Sequence, residues 1–406
     1  MASAPAPAAT SPAADAARRL LSAAAVRERA HELLTIGLAG DLAEWRIDLS
    51  RLDAAADLTA QVVRDAYPDL KVHFHARWRH FVVGGRDLWA ERTAGLAWSA
   101  SEAGRAAFDL AITSVLLDAG AGAAWRYRDA ATRAVLGRSE GLGVASLRLF
   151  ESGALSSDPA DPLRADALGR VDAALLAHAF QVSDDNPLVG LEGRASLLRR
   201  LGEAVGRPGD LFDRMAARAQ GGRLPAPVIL DVLLEALGPI WPGRLSLGGV
   251  PLGDCWRHPA LKRDDATDGL VPLHKLSQWL AYSLIEPLEA AGVTVVDVDG
   301  LTGLAEYRNG GLLIDTGALV LRDPADAARA HPVDSPLVVG WRALTVALLD
   351  RLAPLVRERL GVSPEAFPLA RVLEGGTWAA GRRIARRLRP DDGGPPLAVI
   401  SDGTVF

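Results

Sequence analysis

One cysteine occurs in 406 residues, Cys255. No intrachain disulfide can form, and a reducing compartment fits that usage. No run of about eighteen uncharged apolar residues is found, which argues against a membrane-spanning helix. Residues 1–16 are rich in alanine and proline but lack the apolar core of a signal peptide, so they read as a disordered lead-in. An excess of charge of either sign is also lacking. A formal net charge of −5 and a pI near 5.9 give no support to nucleic acid as the main partner. A cytoplasmic protein without a membrane partner is expected.

The familiar signatures are missing as well. Gly120-x-Gly122 and Gly141-x-Gly143 lack the third glycine and the strand-to-helix setting of a dinucleotide fold. No P-loop pattern occurs, and Ser246 in GRLSLG has no strand leading into a nucleophile elbow. His73, His75 and His80 match no standard ligand spacing and have no neighbouring carboxylate in sequence, so neither metal nor other cofactor is expected. Residues 382–389 read as a solvated basic face on a helix.

What is present is a globular composition, 49% hydrophobic and 23% charged, long enough for a large core. Helical periodicity predicts helices over residues 16–36, 52–66, 101–119, 139–150, 165–180, 194–205, 226–237, 274–291, 336–360 and 369–388. Proline at position 225 fits the first residue of the helix after it, and Pro287 should kink or remove the last turn of the 274–291 helix. Residues 293–298 and 312–314 look like short buried strands. The expected fold is mainly α, one large helical domain over residues 17–406 with a few short strands.

Between those two expected strands lies Glu306-Tyr307-Arg308-Asn309, followed by Gly310-Gly311. A carboxylate, a phenol, a guanidinium and an amide are set side by side within apolar flanks. Buried charge is tolerated mainly when paired or put to use, so this cluster is the candidate site. The alternative is an ion-paired loop bracing a turn. The 274–291 helix runs into this stretch, with Lys275, Trp279, Tyr282 and Glu286 sharing one face. A third segment, His73–Phe81, offers Arg77 and Arg79, whose planar forks suit carboxylate or phosphate, beside Phe74, Trp78 and Phe81 as core anchors.

The segment His75-Ala76-Arg77-Trp78-Arg79-His80-Phe81 resembles the HSRWRHF signature of the uracil catabolism protein 4 family, of the ribosylurea route of pyrimidine degradation. The resemblance continues through Ser139-Glu140-Gly141, the stretch QVSDDNPLVGLEGR from Gln181, GLVPLHKLSQWL from Gly269, LTGLAEYRNGG from Leu301, and SDGTVF at the end of the sequence. It covers nearly the whole chain from about Ala17. Ala76 and Ala305 stand where the family usually has serine and proline. Leu304-Ala305-Glu306-Tyr307-Arg308 is also similar to the acidic-Tyr-Arg segment of queuosine-nucleotide N-glycosylases, all-helical proteins with a DNA-glycosylase-like body.

These likenesses imply a small-molecule ribosyl or phosphoribosyl substrate and cleavage of its C–N bond to urea. Such a bond breaks through an oxocarbenium-like cation, which a fixed carboxylate stabilises while it orients water. Glu306 is the candidate for that role. Asn309, Tyr307, His274 or Gln278 would hydrogen-bond the departing urea. Arg308, Arg77, Arg79 and Lys275 would hold a 5′-phosphate, and Trp78 or Trp279 would wall the pocket. His75 is carried as a further substrate-binding candidate. Arg77, Trp78, Lys275, Trp279, Glu306 and Arg308 are expected to converge from three separate regions. A ureide amidohydrolase and a non-catalytic nucleotide-binding component of the pathway remain as alternatives.

Overall fold

The computed structural model describes residues 11–400 apart from 119, 123 and 242. The architecture is mainly α. Among the described residues the strands are two or three residues long and pair only two at a time. No helix among them is long and apolar enough to cross a membrane.

Two helices form the interior. Pro336–Leu360 is buried without a break from Leu337 to Leu349 and packs on Ala23–Ala39 and Leu52–Ala66. Lys275–Ala290 is buried from Ser277 to Ile285 and packs on Ala100–Leu116 and Ala226–Leu237. A helix apolar on nearly all faces belongs in a core rather than at a surface. Ser335 caps the first with its hydroxyl on Val338 N, and Ser99 with Glu102 forms a capping box on Ala100–Leu116. Pro287 does not end its helix. It leaves the Ser283 carbonyl without its usual donor, and Trp78 Nε1 donates to that oxygen at 2.6 Å.

Several expectations need correction. Regular helix reaches back into the expected lead-in: Ser11 caps Pro12–Leu20, in which Ala14 and Ala16 are buried. Residues 1–10 lie outside the described residues. The 16–36 helix is two helices, because Ser22 starts Ala23–Ala39 with its own cap. The 165–180 helix is a 3-10 turn, Leu168–Arg170, followed by Ala173–Ala179, which Asp172 caps. Pro225 ends the strand Arg223–Pro225, which runs parallel to Thr294–Val296.

Residues 312–314 are not a strand. They belong to the helix Tyr307–Asp315, because the Glu306 carboxylate caps it and so starts a helix where apolar residues alone suggested extension. Gly310 and Gly311 are therefore helical. Gly310 serves close packing, since a Cβ there would stand 2.8 Å from Thr345 Oγ1. The last predicted helix is interrupted at Leu373–Thr377 by a π-helical turn before Trp378–Leu388. Of the tail, Ala398–Ile400 pairs in parallel with Ala330–Pro332, and residues 401–406 lie outside the described residues.

Candidate functional site

The loop that carries Glu306 is held from both central helices. Gln278 accepts from Thr302 N at 3.1 Å and donates to the Thr302 hydroxyl, while Tyr282 donates to the Thr302 carbonyl at 3.0 Å. Arg342 reaches the Ala305 carbonyl at 3.2 Å. Leu301 to Glu306 are all buried. The Glu306 carboxylate then accepts the backbone N–H groups of Arg308 at 2.7 Å and Asn309 at 2.6 Å. Each oxygen keeps lone-pair capacity beyond those bonds. Asn309 Nδ2 bonds the Leu304 carbonyl, and its Oδ1 is a buried acceptor without a protein partner.

Lys275 enters from the other central helix. Asp254 fixes that helix start: it accepts Lys275 N at 3.0 Å, the Arg342 fork at 2.8 and 2.7 Å, and Trp256 Nε1 at 2.6 Å. Burial would raise the Asp254 carboxyl, but Arg342 and these donors hold it far below the ordinary range. His274, in the left-handed region at φ 47°, is tied through Nε2 to the Leu20 carbonyl at 3.0 Å. The Lys275 ammonium has no hydrogen bond or ion pair among the described residues. Burial lowers its pKa, with Glu306 and then Asp118 the leading charges that oppose the shift. Deep in the protein, it still keeps some accessible surface.

Arg77 closes the third side. Its guanidinium bonds Asp118 at 2.9 Å, the Ser114 hydroxyl at 2.6 Å and the Ser139 carbonyl at 3.3 Å, and lies 5.6 Å from the Trp279 ring. Asp118 also accepts from the Ser139 hydroxyl. Ser139 borders a cavity of about 390 Å³ with Tyr307, Arg308 and Arg138. Arg308 donates to the Gly393 carbonyl at 2.8 Å and stands 4.8 Å over the Tyr307 ring. Arg138 has no hydrogen bond or ion pair among the described residues. A hollow beside His274 measures about 20 Å³ and admits water at most.

Of the residues expected to converge, Arg77 lies against Trp279, Glu306 caps the helix that carries Tyr307 and Arg308, and Glu306 and the Arg77 partner Asp118 are the acidic groups that act most on Lys275. Trp78 and Arg79 point elsewhere. Trp78 packs on Phe81 and Trp89, and Arg79 is ion-paired with Glu286 through Nη2, which contacts both carboxylate oxygens at 2.5 and 2.7 Å. His274 and Gln278 brace the backbone. His73 stands apart from the other two histidines, which both lie beside Trp279. His73 is exposed, and His80 is edge-on to Trp279 at 5.9 Å, where burial and then the Arg77 charge push it down to about 3. His75 bonds Glu374 at 2.6 Å, between Trp279 and Trp378. Among the described residues no three His, Cys, Asp or Glu side chains form a set that could hold a metal ion.

Sequence reasoning missed Asp118, Glu374 and Trp378. Asp118 follows the end of the helix Ala100–Leu116, whose second half is buried, and Glu374 precedes Gly375-Gly376 within an otherwise helical pattern. Neither signal names its partner, which lies 41 residues from Asp118 and 299 from Glu374.

Fold and site together define a mainly α-helical protein with a buried, helix-capping Glu306 carboxylate next to a cavity lined by Arg138 and Arg308. The chain is 40% identical over 405 residues to Protein urg3 of Schizosaccharomyces pombe, covering 96% of this chain and 98% of that one. It is 38% identical over 406 residues to Uracil catabolism protein 4 of Lachancea kluyveri, covering 89% and 92%. Residues 19–406 match the family described as "protein of unknown function (DUF1688)". The chain belongs to that family.

Proposed function

We propose that this protein acts in uracil catabolism, as the name of its Lachancea kluyveri relative suggests, by hydrolysing the ribosyl C–N bond of ribosylurea or its 5′-phosphate to release urea. The observation that carries this reading is the buried Glu306 carboxylate, fixed by two backbone N–H groups, with the Lys275 ammonium as its interior counter-charge. As the C1′–N bond breaks, its electron pair goes to nitrogen and positive charge develops at C1′ and the ring oxygen. A preorganised carboxylate stabilises that charge and takes the proton of the water that adds there. Lys275 would bind an oxygen of the sugar or phosphate. Arg308 and Arg138, both on the cavity wall, would take the phosphate. Trp279 and the Tyr307 ring would exclude bulk water.

The test is product analysis with ribosylurea and its 5′-phosphate. Urea with ribose or ribose 5-phosphate is the expected outcome. Ammonia or carbon dioxide would instead identify a ureide amidohydrolase. Tight binding without turnover would identify a nucleotide-binding component, and either result refutes the proposed reaction.

A further inference from the structure

One helical turn along from Lys275, at Trp279, the interior carries a second group of polar side chains. The His75 ring stands 6.2 Å from Trp279 and 6.0 Å from Trp378, and its Nδ1 is bonded to Glu374 at 2.6 Å. Glu374 sits on the π-helical turn Leu373–Thr377, and such turns are frequent at functional sites. The glycines in that turn let it press on its neighbours: a Cβ at Gly375 would stand 2.8 Å from Val72, and one at Gly376 2.7 Å from Thr59. The turn is thus wedged in place with Glu374 on His75.

This pair is not sealed off. The side chains of His75 and Glu374 keep 11% and 16% of their surface accessible although Glu374 lies deep in the protein. His75 Nε2 makes no hydrogen bond among the described residues. Trp279 Nε1 is a buried donor without a protein partner. Leaving such a donor without an acceptor is destabilising by about 1–3 kcal/mol, and a carbonyl oxygen of a ligand would satisfy it.

We infer that His75 and Glu374 form the leaving-group end of the site, taking a planar ureido group beside Trp279 and Trp378, with His75 as its proton donor. The inference rests on the C–N hydrolysis reading above. As the C1′–N bond breaks, the His75 Nε2–H proton moves to the departing nitrogen, forming the N–H bond of urea. The water added at C1′ gives its proton to Glu306, and exchange with solvent resets both groups. Glu374 is a positioning residue. It accepts from Nδ1–H, so that Nε2 is the nitrogen left to meet the ligand. Trp279 Nε1 would donate to the ureido oxygen.

The experiment compares ribosylurea with p-nitrophenyl riboside, whose phenolate leaves without a proton. His75→Asn should lose about a hundredfold or more on ribosylurea and less than about tenfold on the aryl riboside. Glu374→Gln, which keeps a hydrogen-bonding oxygen, should lose at least about tenfold on ribosylurea alone, and it serves if His75→Asn does not fold. Imidazole should restore ribosylurea turnover to His75→Ala, a readout that needs no second substrate. Equal losses on both substrates, or no restoration by imidazole, overturn the role of His75 and leave the hydrolase reading standing. A wild-type protein that releases urea from neither ribosylurea nor its 5′-phosphate overturns both.

Discussion

Replacing Glu306 by glutamine perturbs two things at once, and the structure separates them. Glutamate offers two acceptor oxygens to the backbone N–H groups of Arg308 and Asn309; glutamine offers one oxygen and an amide that is itself a donor. One buried N–H is therefore left without its partner, a loss of about 1–2 kcal/mol for a helix cap. With an unfolding entropy of about 2.1 cal/mol/K per residue over 406 residues, this lowers the melting temperature by roughly 1–3 °C. The chain stays folded at 25 °C, so the change in stability leaves turnover there untouched. Loss of the charge that faces the developing cation is expected to reduce kcat by about a hundredfold, or about 2.7 kcal/mol. KM should hold within a few-fold, because the ground state carries little charge at C1′. Urea release under saturating ribosylurea, read beside a thermal melt, distinguishes the two effects. A variant that melts 1–3 °C lower yet turns over at near the wild-type rate would remove Glu306 from the chemistry and leave it as a cap.

Lys275→Met removes a buried ammonium that has no hydrogen bond among the described residues, so the melting temperature should hold or rise while substrate affinity falls at least about tenfold. A lower melting temperature with intact affinity would make Lys275 a structural ion partner of Glu306. Gly381→Ala should destabilise the protein by about 3 kcal/mol or more, since a Cβ there runs into the Arg308 carbonyl oxygen and forces apart the two helices that present the site. Denaturant midpoints for Gly381→Ala and for the exposed control Gly193→Ala test this, and similar values for both contradict it. For pH, burial holds His80 down at about 3 and His258 at about 4, against the ordinary 6.5. Their folded values lie below the unfolded ones, so the stability they lend is full above about 6.5 and is lost as pH falls toward 4. Asp109, whose carboxyl burial raises to about 6, gains stability over the same interval, so the histidine contribution is read as a difference: the wild-type urea midpoint should fall further between pH 6.5 and 4.5 than that of His258→Gln, and equal falls refute the assignment.

Local chemistry was legible in the sequence wherever it settles structure within a few residues. The helices Leu52–Ala66 and Pro336–Leu360 begin and end where periodicity, proline and glycine place them. The motifs around Arg77, Lys275 and Glu306 could be picked out because charge set among apolar residues calls for a partner or a use. Tertiary structure decided which it was. Arg79 and Arg77 are two residues apart and chemically alike, yet one is engaged by Glu286 near an edge and the other is enclosed with Asp118 in the interior. Trp78 looked like a pocket wall until Pro287, far along the chain, left a carbonyl for it to bond. Glu306 stood between two expected strands, and its own carboxylate, by capping, turned the second of them into a helix. Sequence alone determined the mainly helical body and the segments that carry chemistry, because periodicity and capping act over one or two turns. Which of those side chains face one another depended on pairings tens to hundreds of residues apart, and only the packed core selects among them.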